Sequence, residues 1–301
     1  MRFAPALFLF LALHAHADYR EFLSVARDPA IERRVTMAAE ATLKAYPKLK
    51  ADDLAISVID VTNPALVARA DYHGDTPFYP ASVIKLFFMA DVYATRKEKI
   101  GDVDRALKEM IVVSDNDATA YLVDILANTA PGPPLEGRAL RRYIERRRDI
   151  NRRFERIGYA GNVSAMMKPW SFGPYGVDLQ VLGENRVNRN KLTANATASL
   201  LLSIVRRRAP GSEAMMTLLH RPLAPVREEE NQVKEFIGEA LPTTARLWSK
   251  AGWTSEVRHD AAYVELPEGR KLVLVIFTRG TAEDVTLIPA VARNVLQQLQ
   301  Q

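Results

Sequence analysis

The sequence predicts an α/β (α+β) fold: an antiparallel sheet flanked by N- and C-terminal helices, with an all-helical domain inserted. Three observations lead there. Strand-like runs gather towards the two ends of the chain, the long middle carries helical apolar spacing, and a helical run lies outside the strands at each end. A sheet and its helices must bury their apolar faces against one another, so the economical arrangement is one sheet covered by the terminal helices and interrupted by a helical block. The chain of 301 residues is long enough for such a pair of units. The expected division is a leader over residues 1–17, a discontinuous sheet domain over 18–77 and 222–301, and the inserted helical domain over 78–221.

Taken in order, Met1-Arg2 gives a short positive start, Phe3 to Leu13 is apolar, and Ala15-His16-Ala17 is a small-x-small site. This is the pattern of a secretory signal cleaved near Ala17, which implies a periplasmic or secreted product beginning at Asp18. The apolar run is too short to span a bilayer. Pro29 to Ala45 has helical character. Leu54 to Asp60 alternates and reads as a strand, Asn63-Pro64 as a turn, and Leu66 to Asp71 as a hairpin-paired second strand. Ser82–Lys97, Asp102–Met110, Asn116–Ala127, Gly137–Ile157 and Thr193–Arg207 carry apolar residues at i, i+3 and i+4, the helical period. Ala245–Lys250, His259–Leu266 and Lys271–Thr278 read as strands, with a hairpin turn at Pro267-Glu268-Gly269. Glu283 to Leu299 reads as a closing helix.

Composition excludes several chemistries. The chain has no cysteine, so disulfides, thiolate catalysis and cysteine-bound zinc are out. His14 and His16 fall in the leader, and His73, His220 and His259 have no metal-ligand spacing. No metal and no cofactor is expected, and the protein is expected to be a monomer without a membrane span. The net charge is +5, and nine arginines fall between Arg138 and Arg156. Glu145, Asp149 and Glu155 are interleaved with them at pairing distance, so the run reads as a solvated helix face and not as a nucleic-acid surface. Attraction to an anionic envelope polymer is the functional alternative for that face.

The chemistry centres on Ser82-Val83-Ile84-Lys85, just after Pro80 and at the start of an apolar helical run. Residues three apart share a helix face, so the Ser82 hydroxyl and the Lys85 amine point into one space. The N-terminal end of a helix favours an oxyanion. Hydroxyl, amine and free backbone N–H groups are the parts of an acyl-transfer site. Two further elements follow: Ser114-Asp115-Asn116 on a short loop between helices, and Lys250-Ala251-Gly252 on a strand. There is no Gly-x-Ser-x-Gly elbow, and no other serine has a lysine three residues on. A Ser-His-Asp scheme using His259-Asp260 fails because adjacent strand residues point to opposite faces.

The ordered set Ser-x-x-Lys, Ser-Asp-Asn and Lys-small-Gly resembles the penicillin-recognising serine hydrolases, and most closely the class A β-lactamases. The flanks Ala81 to Leu86, Met110 to Asn116 and Arg258 to Val264 are similar too, and the resemblance extends over nearly the whole mature chain. It implies a β-lactamase/transpeptidase-like fold and a small-molecule substrate, a β-lactam or a peptidoglycan-like peptide. It implies Ser82 as nucleophile, Lys85 as base and Ser114 as proton relay. Asn116 and Lys250-Ala251-Gly252 would bind substrate. The backbone N–H groups of Ser82 and Trp253 would form the oxyanion hole.

Two departures from the family pattern bear on activity. The lysine motif usually carries Thr or Ser where this chain has Ala251, which removes a hydroxyl for the substrate carboxylate. Thr254, Ser255, Arg258 and His259 are the candidate substitutes. Second, the family's deacylating glutamate stands in Glu-x-x-Leu-Asn, to which Glu184-Asn185-Arg186-Val187-Asn188 corresponds with Val for Leu. Glu184 is therefore the candidate deacylation base and Asp178 a second. The preceding stretch, Met166 to Leu182, looks rebuilt. With a working base the expectation is β-lactam hydrolysis. Without one it is a penicillin-binding D,D-peptidase-like or esterase/amidase activity with slow release. The reading from another class is a non-catalytic envelope-binding protein with this fold.

Overall fold

The computed structural model describes residues 18–170, 172–224 and 232–300, so the expected leader lies outside the described residues. The strands are β1 (Ala26–Arg27), β2 (Leu54–Asp60), β3 (Ala68–Tyr72), β4 (Val163–Ser164), β5 (Lys191–Leu192), β6 (His220–Arg221), β7 (Arg246–Trp253), β8 (Val257–Glu265) and β9 (Lys271–Arg279). The helices are α1 (Tyr19–Ser24), α2 (Pro29–Ala45), α3 (Lys85–Ala94), α4 (Val103–Lys108), α5 (Asn116–Ala127), α6 (Gly137–Phe154), α7 (Gly176–Leu182), α8 (Ala194–Val205), α9 (Ser212–Leu219) and α10 (Leu287–Gln300).

Seven strands form one sheet in the order β1-β3-β2-β9-β8-β7-β6. Its pairings are antiparallel except at one edge, where the two residues of β1 run parallel to β3. Side chains alternate across a strand, and the two core clusters divide along that alternation. Leu54, Ile56 and Val58 of β2, with Leu272, Leu274 and Ile276 of β9, pack under α2 and α10. Ala55 and Ile59, with Val273, Val275 and Phe277, face the helical block. A sheet covered on both faces needs apolar residues at nearly every position, and β2 and β9 are buried almost end to end.

Local chemistry sets the ends of the covering helix. Asp28 caps α2 by accepting from Ala30 N at 2.7 Å and Ile31 N at 3.1 Å, and Pro29 follows at the first helical position, where its missing N–H costs nothing. Its inner face, Val35, Ala38, Ala39 and Thr42, is buried against the sheet. On the other side, α8 is buried along nearly its whole length and forms the axis of the helical block.

The architecture is the expected one, and the chain adds short elements without a sequence period long enough to mark them: α1, α7, α9 and the two-residue strands. One of these additions positions the site. β4 and β5 pair Val163 with Leu192 and Ser164 with Lys191, closing a long loop at its base. Leu192 then exchanges backbone bonds with Phe78, at 2.9 and 3.0 Å. The loop over residues 165–190 is thereby tied to the segment that leads into Ser82.

The arginine run differs from the expected solvated face. Arg147 is fully buried, and Arg153 pairs with the buried Asp91. Tyr143, Arg147, Ile150 and Phe154 lie on one stripe of α6, so the helix phase carries Arg147 inward with them.

Candidate active site

Ser82 lies on a 3₁₀ turn, Ala81–Ile84, that runs directly into α3. Val83 N donates to Pro80 O at 3.0 Å, which makes the tighter turn in place of the regular helix start. Ala81, just before Ser82, holds a left-handed φ of 45°, a conformation that costs a residue with a Cβ about 1 kcal/mol or more. The surroundings hold it there. His259 Nε2 donates to Tyr79 O at 2.8 Å, and Thr278 N donates to His259 Nδ1 at 3.1 Å. Both ring nitrogens are used in the neutral form, and burial pushes this imidazole down to about 4. His259 is a strut behind the serine. Asp260 points to the other face and accepts from Ile237 N at 3.0 Å, its carboxyl pushed up to about 7 by burial.

Three elements bring two lysines and a serine together. Ser114 follows a wide turn at the end of α4 and takes a left-handed φ of 63°, after which Asp115 caps α5 through Ala118 N. Lys85 Nζ bonds Ser114 O at 2.5 Å, Asn116 Oδ1 at 2.8 Å and Ser114 Oγ at 3.1 Å. Lys250 Nζ bonds Gln232 Oε1 at 2.6 Å, Ala251 O at 2.7 Å and Ser114 Oγ at 3.0 Å. Each amine thus has two oxygens that only accept, and both share the one hydroxyl of Ser114. A hydroxyl has one hydrogen to give. Its two lone pairs can accept from both amines, and its hydrogen can go to an amine that is neutral. Ser114 Oγ bridges the two amines, 3.1 Å from Lys85 Nζ and 3.0 Å from Lys250 Nζ.

The Lys85 amine is fully buried and pushed down to about 7 by desolvation. Lys250 is pushed well below the ordinary lysine range, by burial first and then by the charges of Lys85 and Arg221. The Ser82 hydroxyl is half-buried and has no hydrogen-bond partner among the described residues. It faces an open pocket, one turn from the Lys85 amine.

Strand β7 runs close to this turn. A Cβ on Gly252 would lie 2.6 Å from Ser82 N and 2.7 Å from Val83 N, so no side chain fits there. That approach sets the β7 edge and Trp253 beside Ser82. Along β7, Trp248 and Lys250 face the helical block while Leu247 and Ala251 face α2 and α10. Ala251 is therefore turned away from the pocket and fully buried. Of the candidate substitutes for its missing hydroxyl, Thr254 lines the pocket. His259 is engaged behind Tyr79, and Arg258 bonds Ala282 O and Glu235.

Supporting residues that the motifs do not reveal complete the site. Gln232 accepts from Lys250 and from Ala251 N, and donates to Ile111 O and Val112 O. Arg221 donates to the same two carbonyls, at 2.6 and 3.1 Å, and to Ser249 O. Together they bind β7 to the turn that presents Ser114.

The pocket beside Ser82 has a volume of about 200 Å³. Its walls are Tyr79, Trp253 and Thr254 on one side and the 165–190 loop on the other, including Lys168, Trp170, Leu182, Arg189 and Asn190. Asn190 pins this loop by bonding Met167 N at 2.9 Å and Met167 O at 2.8 Å. Among the described residues no carboxylate lines the pocket. Glu184 is exposed on a separate turn and does not reach it. Asp178 is held with Asp124 in a cluster with Arg147 and Lys168, at 2.6–3.3 Å. So the structure brings together Ser82, Lys85, Ser114, Asn116, Lys250, Gly252 and Trp253, and leaves Glu184 and the Ala251 side chain outside.

Solved structures that share this fold include class A β-lactamases and PBP-A. The chain belongs to the β-lactamase enzyme family, whose model matches residues 95–299. A mutant of PBP-A, in an acyl-enzyme complex with penicillin G, superposes with a TM-score of 0.61 at 17% identity, covering 89% of this chain and 96% of that one. A β-lactamase from Xanthomonas campestris gives 0.62 at 16%, covering 89% and 98%. A class A β-lactamase from Bacteroides cellulosilyticus gives 0.62 at 15%, covering 90% and 99%. At these identities the likeness is one of fold. Among curated protein sequences none matches this chain.

Proposed function

We propose that the protein is a serine hydrolase acylated at Ser82 by β-lactams and related amides, with slow release of the acyl group in the manner of a penicillin-binding D,D-peptidase. The observation that carries this reading is the pairing of a complete proton-transfer triangle, Lys85, Ser114 and Lys250, with a pocket that no carboxylate lines.

In the acylation step Ser82 Oγ attacks the lactam carbonyl carbon. The neutral Lys85 amine turns its lone pair towards Ser82 Oγ and takes the hydroxyl proton, becoming an ammonium. The backbone N–H groups of Ser82 and Trp253 stabilise the oxyanion. When the ring C–N bond breaks, Ser114 gives its proton to the nitrogen and recovers one from the lysines. Deacylation needs a base to activate water, and no carboxylate lines this pocket to serve as one.

The test compares three forms of the protein for labelling by a fluorescent penicillin and for its subsequent loss. Labelling is expected in the wild type and in Glu184→Ala, with the same rate of loss, and none in Ser82→Ala. Labelling of Ser82→Ala would move the nucleophile elsewhere. A trapped adduct unique to Glu184→Ala would restore that glutamate as base and make the protein a hydrolysing β-lactamase.

A further inference from the structure

We infer that the pocket beside Ser82 selects acyl donors that carry a negatively charged substituent on the acyl side, and that Arg189 is the residue that recognises it. The inference rests on the acylation reading above. Ser114, which protonates the leaving nitrogen, does not line the pocket, and neither does Lys250. The leaving group therefore lies on their side of Ser82. The acyl half extends the other way, past Trp253 towards Thr254 and into the pocket.

The side chains that meet it there combine apolar surface with positive charge. Trp170, Leu182 and Trp253 supply an apolar wall for a planar or alkyl body. The charged residues that line it are Lys168, Arg186 and Arg189, all cations. They are not equivalent. Lys168 shares Asp124 and Asp178 with Arg147, two acids to two bases, so that cluster is neutral and its amine is committed. Arg186 is exposed, with no acidic partner among the described residues, and it adds a diffuse field.

Arg189 is built into place. Its guanidinium stacks 3.6 Å from the centre of the Tyr79 ring, and the Tyr79 carbonyl is held by His259. One hydrogen from each terminal nitrogen goes to Glu256 Oε2, at 3.0 Å. A guanidinium has five N–H donors, so donors remain for a ligand. Glu256 takes one N–H from each terminal nitrogen and offsets the charge of the pair, so a ligand carboxylate meets the remaining N–H groups of a guanidinium that stacking holds in place.

The test keeps the reacting ring constant and changes only the side chain. Second-order acylation rate constants are measured with α-carboxybenzylpenicillin, benzylpenicillin and α-aminobenzylpenicillin. The expected order places the carboxylate first, about ten-fold over benzylpenicillin for a charge-assisted bond at a partly exposed site, and the ammonium last. Arg189→Gln is expected to bring the carboxybenzyl-to-benzyl ratio close to one, and Arg189→Lys to keep part of it. A wild-type ratio at or below one overturns the inference. So does an Arg189→Gln variant in which all three rates fall together and the ratio stands, which marks a purely structural role. Absence of an adduct from all three penicillins overturns the acylation reading itself, a different result from acylation without charge preference.

Discussion

Replacing Gly252 by alanine tests how closely the strand edge must approach the proposed nucleophile, Ser82. The added Cβ would meet Ser82 N at 2.6 Å, Val83 N at 2.7 Å and Pro80 O at 3.1 Å. All three are backbone atoms and have no rotamer to change. A carbon finds its optimum at roughly 3.5 Å or beyond, so β7 and the Ser82 turn must separate by about 0.9 Å. The two proposed oxyanion donors sit on either side of that gap. A displacement of that size in a catalytic site costs about 100-fold in rate. Overpacking of a tight core costs about 1–3 kcal/mol, and for a chain of this size each kcal/mol lowers Tm by about 2–4 °C. The assay is the acylation rate with a chromogenic cephalosporin beside a thermal melt. Gly132→Ala, where a Cβ meets nothing within 4 Å, is the control. Acylation of Gly252→Ala at the wild-type rate would refute the close-approach reasoning.

Three other outcomes follow from the same geometry. The acylation rate should rise with pH through a midpoint near 7, because burial pushes the Lys85 amine down to about 7 and its neutral form is the base; a flat profile from pH 5 to 9 would remove Lys85 from that role. Arg147→Met leaves Asp124 and Asp178 with Lys168 alone. Breaking a buried pair in this way costs roughly 3–5 kcal/mol, read by urea unfolding; a loss under about 1 kcal/mol would mean that water already screens the cluster. Glu184→Ala should leave deacylation unchanged, since that carboxylate is exposed and outside the pocket.

The candidate site was legible because its motifs are local. Ser82 and Lys85 are three residues apart, Ser114 and Asn116 two, and each pair is placed by one turn of chain. The parity of a strand explains Ala251: it neighbours Lys250 in sequence and faces the opposite way, so the substitution there removes nothing that points into the pocket. Gln232 and Arg221 were not legible, since they act on Ile111 O and Val112 O, and backbone carbonyls of a distant turn leave no trace in composition. The inward turn of Arg147 did have a signal, the apolar phase of Tyr143, Ile150 and Phe154, but the neighbouring arginines masked it.

Glu184 shows the limit of motif spacing. Asn185 and Arg186 adopt left-handed φ values of 52° and 57°, and Glu184 beside them is exposed. From this stretch Leu182, Arg186, Arg189 and Asn190 line the pocket, and Glu184 does not. The path of the loop leaves this carboxylate in solvent, and no pairing of residue letters reports the path.

The central claim is that Ser82 is acylated readily and released slowly. Intact-mass spectra of the mature protein, taken as a time course after mixing with benzylpenicillin, test it most directly. The account expects one adduct of the full mass of the penicillin, located at Ser82 and persisting long after free penicillin is removed. An unmodified protein throughout, or penicillin consumed over many turnovers with no accumulated adduct, would contradict it.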